Sequence, residues 1–305
     1  MTSRIRACHR GFTLVELLVV ITIIGILSGL ALVGITAART AVLNASMKYE
    51  VSQIALALDL LKEKVGSYPP DGNTVTSPGN RRTAMNRHLN KMFPRRNQNL
   101  DDPATDAAIV TRLKQIGTDH NYVNPNPTAA SPYLLEDLDP SETWVLLLMG
   151  FSPDVERPLT GLGEREVKFQ FTQTRLIDPD GDGWWSYKPG YSEAEMVYFN
   201  AKTYDDGSAT IDNGTPTVAS YTPSFGDGVV RPYAQVFNGT MQWVNPKGFQ
   251  LIVAGLDNDF GNDFGADTQY KVYPGGVDGI PYTLEDFDNV TNFSEGSTLN
   301  ADTGL

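Results

Sequence analysis

The feature that most constrains this chain is an uncharged stretch close to its amino terminus. From Leu17 to Ile35 there is no charged side chain, and the polar side chains are Thr22 and Ser28. These 19 residues approach the length of about 20 that a helix needs to cross the hydrocarbon core of a bilayer. Three arginines and no acid precede the stretch within residues 1–11, which predicts that the amino terminus stays in the cytoplasm.

The composition of the whole chain excludes several classes of protein. The 305 residues include 24 Lys+Arg and 36 Asp+Glu, a formal charge of −12, which argues against a nucleic-acid-binding protein. Cys8 is the single cysteine, so the sequence excludes a disulfide framework and a four-cysteine zinc site. Hydrophobic residues make up 41% of the chain, which is enough to form a folded core.

Three interpretations of the amino-terminal segment compete. A cleaved secretory signal would have a shorter apolar stretch without an acid, whereas here Glu16 stands at the start of a long one. A plain membrane anchor would leave Glu16 incidental. The third interpretation is the leader of a prepilin, and the residues around Glu16 favour it.

The string Gly11-Phe12-Thr13-Leu14-Val15-Glu16 resembles the processing site of type IV pilins and of type II secretion pseudopilins. The resemblance implies that residues 1–11 are a leader, that a prepilin peptidase cuts after Gly11, and that the new amino terminus at Phe12 is methylated. Glu16 matches the membrane-buried glutamate of that family. An ionised carboxylate in hydrocarbon needs a partner, and the α-amine of Phe12 in a neighbouring subunit could supply it.

The resemblance also implies partners and a location. The partners are other pilin or pseudopilin subunits, the prepilin peptidase and an inner-membrane secretion assembly platform, and no nucleic acid is expected. The chain would cross the bacterial inner membrane once, with its carboxy-terminal part in the periplasm. Two other hypotheses remain open: a membrane-tethered extracytoplasmic module that binds calcium or a glycan, and an anchored hydrolase.

A helical pattern continues beyond the apolar stretch. Apolar residues recur at steps of three and four, and no proline interrupts residues 12–65, which predicts one long helix with about 14–36 in the membrane. The members of the stripe are Leu43, Met47, Val51, Ile54, Leu58, Leu61 and Val65. Gly66 and Pro69-Pro70 follow as stop signals. Residues 54–70 resemble the helix end and Tyr-Pro loop of the major pseudopilin.

Residues 66–305 are predicted to form a globular pilin-like domain. Residues 71–140 are rich in loop-forming residues, and Asp139 with Pro140 indicates a helix start. Four segments indicate strands: 167–172, 195–199, 233–237 and 249–253. The predicted fold class is α+β, a long amino-terminal helix packed on an antiparallel β-sheet, with loop-rich insertions.

One acidic loop has the spacing of a calcium loop. Asp178, Asp180 and Asp182 alternate along the segment DPDGDG, as the first ligands of an EF-hand do. The twelfth loop position is Pro189 instead of glutamate, which excludes a standard EF-hand. The segment is therefore either a calcium loop of another type or a solvated turn.

A second acidic loop lies near the carboxy terminus. Residues 254–259 and 286–293 resemble the two pieces of the calcium loop of the major pseudopilin. The resemblance implies Asp257 and Asp288 as the first candidate calcium ligands, with Asp259 and Asp286 as further candidates. An insertion separates the two pieces, and a solvated acidic turn is the alternative.

The sequence predicts no enzyme. After removal of the leader, the histidines would be His88 and His120, and neither lies in a metal-binding or nucleophile motif. No P-loop or G-x-S-x-G string occurs. No catalytic residue and no required cofactor are expected, with Ca²⁺ as the one candidate ion.

Overall fold

The computed structural model describes residues 12–73, 75–98, 107–261, 270–274 and 284–302. The chain divides into two compact units, Met1–Leu43 and Asn44–Leu305, which are described separately below. The layout is α+β, as predicted, because one long amino-terminal helix is followed by short helices and by eight strands among the described residues.

Helix α1 spans Leu14–Val65, close to the predicted range 12–65. From Asn44 onwards one face is buried, and this face contains the predicted apolar positions Met47, Val51, Ile54, Leu58 and Leu61. The helix ends where predicted, at Gly66, whose positive φ of 83° suits glycine and whose N–H donates to Lys62 O at 2.7 Å.

Three shorter helices follow, and two of them lie in the segment predicted to be loop-rich. These two are α2, Pro78–Met92, and α3, Ala107–His120. The sequence predicts a helix start at Asp139 and Pro140, and helix α4, Thr143–Leu148, starts three residues after Pro140. Asp139 does not cap α4, since its Oδ1 accepts hydrogen bonds from the N–H and the hydroxyl of Ser141 in the preceding turn.

The strands form three small sheets. The strands are β1 Leu176–Ile177, β2 Ser186–Tyr187, β3 Val197–Asn200, β4 Tyr233–Phe237, β5 Thr240–Trp243, β6 Phe249–Val253, β7 Lys271–Val272 and β8 Val290–Thr291. Strands β1 and β2 form an antiparallel pair. The order in the second sheet is β3-β6-β8, all antiparallel, and in the third β5-β4-β7, where β4 and β7 are parallel.

The sheet β3-β6-β8 lies between two apolar clusters. Along β6 the side chains alternate, so that Phe249, Leu251 and Val253 join the cluster that contains the buried face of α1. Ile252 points to the other side and joins a second cluster with Phe199. All five residues of β6 are therefore buried, including Gln250, whose side chain forms hydrogen bonds with the backbone of Tyr233 and Val244.

The predictions for 233–237 and 249–253 are confirmed by β4 and β6, and that for 195–199 is confirmed with a shift to Val197–Asn200. The strand predicted at 167–172 is wrong. The N–H groups of Lys168 and Phe169 both donate to Leu148 O at the end of α4, so they are not available to a strand partner. Phe169 and Phe171 instead form edge-to-face contacts in an aromatic group with Trp144 and Tyr187.

Glu50 of α1 forms hydrogen bonds with residues of the β1–β2 region. Its Oε2 accepts hydrogen bonds from Arg175 Nη1 at 2.8 Å and from Gly190 N at 3.0 Å, and its Oε1 accepts one from Tyr187 Oη at 2.6 Å. The Glu50 side chain is 15% exposed and that of Arg175 is 26% exposed, so the pair is partly shielded from water. A charge-assisted contact with three donors on one side chain is stronger than an exposed ion pair.

We expect Glu50→Ala to lower the free energy of unfolding by about 2 kcal/mol, because three donors lose their acceptor. The measurement is a urea titration of the full chain in detergent, followed by tryptophan fluorescence. Glu63→Ala removes an exposed acid from the same helix and is the control, with an expected change within about 0.5 kcal/mol. Equal losses in the two variants would show that the Glu50 contacts do not stabilise the docking of α1.

Candidate functional site

The amino-terminal part of α1 presents apolar side chains without a covering layer. Large apolar residues from Leu14 to Ile35 are 43–79% exposed, and Phe12 is 73% exposed. In the described part of the chain, α1 is the helix that is long and apolar enough to cross a membrane. Exposed apolar surface of this extent marks a contact with a membrane or with another protein.

Thr13 and Glu16 form a capping box at the start of α1. Glu16 Oε2 accepts hydrogen bonds from Thr13 N at 2.8 Å and from Thr13 Oγ1 at 2.7 Å, while Glu16 N donates to Thr13 Oγ1 at 3.2 Å. This reciprocal arrangement satisfies two backbone N–H groups that a helix start leaves without partners. It also orients the Glu16 carboxylate towards the amino-terminal end of α1. The predicted cleavage residue Gly11 lies outside the described residues.

The carboxy-terminal acidic loop brings Asp257 and Asp288 together, as the sequence predicts. Asp288 Oδ2 accepts hydrogen bonds from Leu256 N at 2.8 Å and from Asp257 N at 3.3 Å. Burial and the negative charge of Asp288 raise the pKa of Asp257 to about 6. Asp259 follows in the same turn, where its N–H donates to Asp257 Oδ1 at 2.9 Å. Asp257 and Asp259 thus lie in one turn, and Asp288 packs against its backbone from the segment Leu284–Asp288; their role as calcium ligands stays a prediction.

Gly255 allows this close approach. Its φ is +53°, a conformation that side-chain-bearing residues rarely adopt. A Cβ added there would lie 2.4 Å from the carboxylate carbon of Asp288. The backbone at position 255 therefore fits against the Asp288 carboxylate because no side chain intervenes.

Asp286 has a different environment from the other three candidates. Its side chain is 0% exposed, and its Oδ1 accepts a hydrogen bond from Lys271 Nζ at 2.5 Å and another from Tyr233 Oη at 3.1 Å. Asp286 is thus half of a buried ion pair. Its role as a calcium ligand stays a prediction, whereas its contact with Lys271 is a described feature of the fold.

The DPDGDG segment forms the loop between β1 and β2. Asp178 Oδ1 accepts from Gly181 N at 2.8 Å, Asp182 Oδ1 accepts from Trp184 N at 2.8 Å, and Asp180 Oδ1 accepts from Asp182 N at 3.4 Å. Gly181 has a φ of +76°, as expected for the glycine of this tight turn. Asp178, Asp180 and Asp182 each place a carboxylate oxygen within 4.8 Å of the others, so the sequence spacing does produce a cluster.

Two further carboxylates, which the sequence did not predict, approach this loop from the turn before α4. Asp139, Glu142 and Asp180 form a second group whose carboxylate oxygens also lie within 4.8 Å of one another. Asp180 belongs to both groups. We call the set of five, Asp139, Glu142, Asp178, Asp180 and Asp182, the hairpin acidic cluster.

Burial in the hairpin acidic cluster opposes ionisation. It raises the pKa of Asp182 to about 8, with the charge of Asp180 adding to the shift. It raises the pKa of Asp139 to about 7 and that of Glu142 well above its usual range, the latter with a further contribution from Asp139. Several carboxylates thus share a space in which their negative charges repel one another.

Comparison with known proteins bears on the amino terminus. The model of the prokaryotic N-terminal methylation motif matches residues 6–32. The matched range contains Gly11, Phe12 and Glu16, and it extends into the exposed apolar part of α1. This motif, together with the long apolar helix, is consistent with a type IV pilin-like protein, and it implies processing by a prepilin peptidase and assembly with other pilin subunits. No curated protein and no solved structure matches the chain.

Proposed function

We propose that this chain is a structural subunit of a type II secretion pseudopilus or of a related type IV pilus-like filament. The observation that carries the proposal is the capping box at Thr13 and Glu16, which lies inside the methylation motif and begins a helix with exposed apolar side chains. A helix of this kind can be stored in the bilayer and can later pack against identical helices.

The physical basis of assembly is the exchange of one apolar environment for another. In the membrane, lipid covers the large side chains between Leu14 and Ile35, and in a filament the helices of neighbouring subunits cover them. Van der Waals packing supports such helix association. A carboxylate within an apolar bundle favours the one arrangement in which it meets a positive charge. The free α-amine of Phe12 in a neighbouring subunit is that charge, so Glu16 would set the axial register.

The rest of the proposal follows from this mechanical role. The mature chain is a non-catalytic subunit that crosses the inner membrane once, with residues 66–305 in the periplasm. It depends on a prepilin peptidase for leader removal and methylation, and on an inner-membrane assembly platform for polymerisation. Its main partners are other copies of itself and related subunits.

Leader removal is the first test. When the full chain is expressed with a prepilin peptidase, we expect intact-mass analysis to show loss of residues 1–11 and gain of one methyl group on Phe12. Gly11→Leu is expected to remain uncleaved. Gly29→Leu is the matched control, because nothing lies within 4 Å of a Cβ at that position, and it should be cleaved normally. An uncleaved wild-type chain would contradict the proposal.

Assembly is the second test, and it separates the filament subunit from the membrane-tethered binding module. In cells that carry the processing and assembly machinery, chemical cross-linking of the mature chain should give a ladder that extends beyond the dimer. Mechanical shearing should release filaments that contain the chain. A processed chain that stays monomeric under these conditions would favour the binding module over the filament subunit.

A further inference from the structure

The hairpin acidic cluster joins two parts of the chain that are distant in sequence. Asp178, Asp180 and Asp182 belong to the loop between β1 and β2, and Asp139 and Glu142 belong to the turn that leads into α4. The side chains of α4, from Thr143 to Leu148, are all buried in the main apolar cluster or beside it. A ligand that binds all five carboxylates would therefore link the β1–β2 loop to the main apolar cluster through α4.

Two buried oxygen atoms in this cluster lack a hydrogen-bond donor among the described residues. They are Oε1 of Glu142, whose residue is 1% exposed, and Oδ2 of Asp182, whose residue is 5% exposed. Each belongs to a carboxylate whose group lies within 4.8 Å of Asp180. A buried polar atom without a partner is costly, and a buried anionic oxygen is more costly still. These two atoms thus indicate a ligand that supplies positive charge.

The protein itself does not supply that charge within the described ranges. There, no lysine or arginine forms an ion pair with any of the five carboxylates; Lys188, directly after β2, pairs with Glu193, and Arg82 pairs with Glu136. The donors that do reach the cluster are neutral, such as the N–H of Trp184 and the hydroxyl of Ser141. A cation from solution would complete the set.

The chemistry of the ligands favours calcium. All five side chains offer hard carboxylate oxygens, and neither histidine nor cysteine takes part. Oxygens bound to one Ca²⁺ at about 2.3–2.6 Å lie within about 5 Å of each other, a span that the 4.8 Å groups satisfy. Asp180 is exposed while Glu142 and Asp182 are buried, so a cation can reach the buried oxygens from the Asp180 side.

We propose that Asp139, Glu142, Asp178, Asp180 and Asp182 form a calcium site in which Asp180 links the β1–β2 loop to the turn before α4. The site extends the predicted loop ligands by two residues from elsewhere in the chain. Bound calcium neutralises the mutual repulsion of the carboxylates and stabilises the domain that contains them. This inference does not depend on filament assembly, because it applies equally to a monomeric chain.

The test compares thermal unfolding of the full chain in detergent, in EDTA and in CaCl₂. At a calcium concentration about one hundred times the dissociation constant, we expect the unfolding temperature to rise by about 5 °C or more. Equal concentrations of MgCl₂ should give a smaller rise, because Mg²⁺ sheds its water reluctantly. An unfolding temperature that is the same in EDTA and in millimolar CaCl₂, or a larger response to Mg²⁺, would overturn the proposal.

Glu142→Gln locates the response. In CaCl₂ the variant should lose at least tenfold in calcium affinity by calorimetric titration, because a buried anionic ligand is gone. In EDTA its unfolding temperature should be equal to or above that of the wild type, because one source of repulsion is also gone. This opposite response in the two conditions separates a cation ligand from a residue that merely stabilises the fold, whose loss would lower both temperatures.

Asp180→Asn is the second variant, chosen because the Asp180 side chain is exposed and not part of the core, and it should lose the calcium response in the same way. The control Asp119→Asn should keep it, because it removes an exposed acid on α3 that accepts a hydrogen bond from Gln115. A full calcium response in both Glu142→Gln and Asp180→Asn would assign the calcium effect elsewhere and refute the site.

Discussion

Replacement of Glu16 by alanine is expected to abolish filament assembly while leaving the chain inserted in the membrane and its leader removed. A charged carboxylate within a membrane-spanning helix carries a free-energy cost unless it meets a partner. In the proposed filament this cost is offset when Glu16 meets the α-amine of Phe12 in a neighbouring subunit. Alanine removes the cost and the register together, so the chain should accumulate as a processed, membrane-bound subunit.

The capping box gives Glu16 a second function that must be separated from the first. Glu16 accepts two hydrogen bonds from Thr13, and loss of that cap would weaken the first turn of α1. Glu16→Gln resolves the two functions, because glutamine also forms a capping box but carries no charge. If charge pairing sets the register, glutamine should fail in assembly as alanine does.

The readout is the fraction of chain in sheared filaments, measured beside the total amount of processed chain in the membrane. Glu63→Ala removes an acid from the exposed face of the same helix, far from its start, and should assemble as the wild type does. Normal filaments from Glu16→Gln would reduce Glu16 to a helix cap. Normal filaments from Glu16→Ala would contradict the register mechanism altogether.

Helix α1 was predictable because its signals are local and repeat many times. The apolar stretch, the steps of three and four from Leu43 to Val65, and the stop at Gly66 all agree with one another. The structure adds that Thr13 is the cap, so the helix begins at Leu14 and not at Phe12. Strands β4 and β6 were predictable for the same reason, since each is a five-residue segment with four apolar or aromatic side chains, bounded by turn residues.

Helices α2 and α3 were not predicted, because few of their residues face the core. Helix α2 is rich in basic and amide side chains, and its buried residues are Met85, His88 and Leu89. Helix α3 buries Leu113, Ile116 and Gly117. Three buried positions in a polar helix make a weak periodic signal. Tertiary contacts of these few buried residues stabilise the two helices. Such contacts cannot be read from a single sequence.

The acidic sites show the same division between local and distant information. The spacing DxDxDG predicts the cluster of Asp178, Asp180 and Asp182, and the structure brings these three together. Asp139 and Glu142 join them only through the fold, since nothing in the local sequence connects the turn before α4 with the β1–β2 loop. Asp286 and Asp288 are two positions apart, yet one contacts Lys271 and the other contacts the backbone at Leu256.

The Lys271–Asp286 pair is expected to be the most sensitive point in the stability of the carboxy-terminal region. Lys271 is 1% exposed and Asp286 is 0% exposed, and the ammonium also donates to Phe260 O. Burial lowers the pKa of Lys271, and the charge of Asp286 opposes that shift. Each charge is therefore retained in the interior because the other is present.

Lys271→Met should lower the free energy of unfolding by about 3–5 kcal/mol, because it leaves the Asp286 carboxylate buried without its cation. Asp286→Leu should cost a similar amount, for the reciprocal reason. The double variant should lose clearly less than the sum of the two, because no unpaired charge remains, and this difference is the coupling energy of the pair. Urea titrations of the full chain in detergent supply all three values.

Lys188→Met is the control. It breaks a pair with Glu193, whose side chain is 73% exposed, and should cost at most about 1 kcal/mol. Additive losses in the double variant, or a loss from Lys271→Met no larger than that from Lys188→Met, would show that the buried pair does not hold β7 to the segment around Asp286.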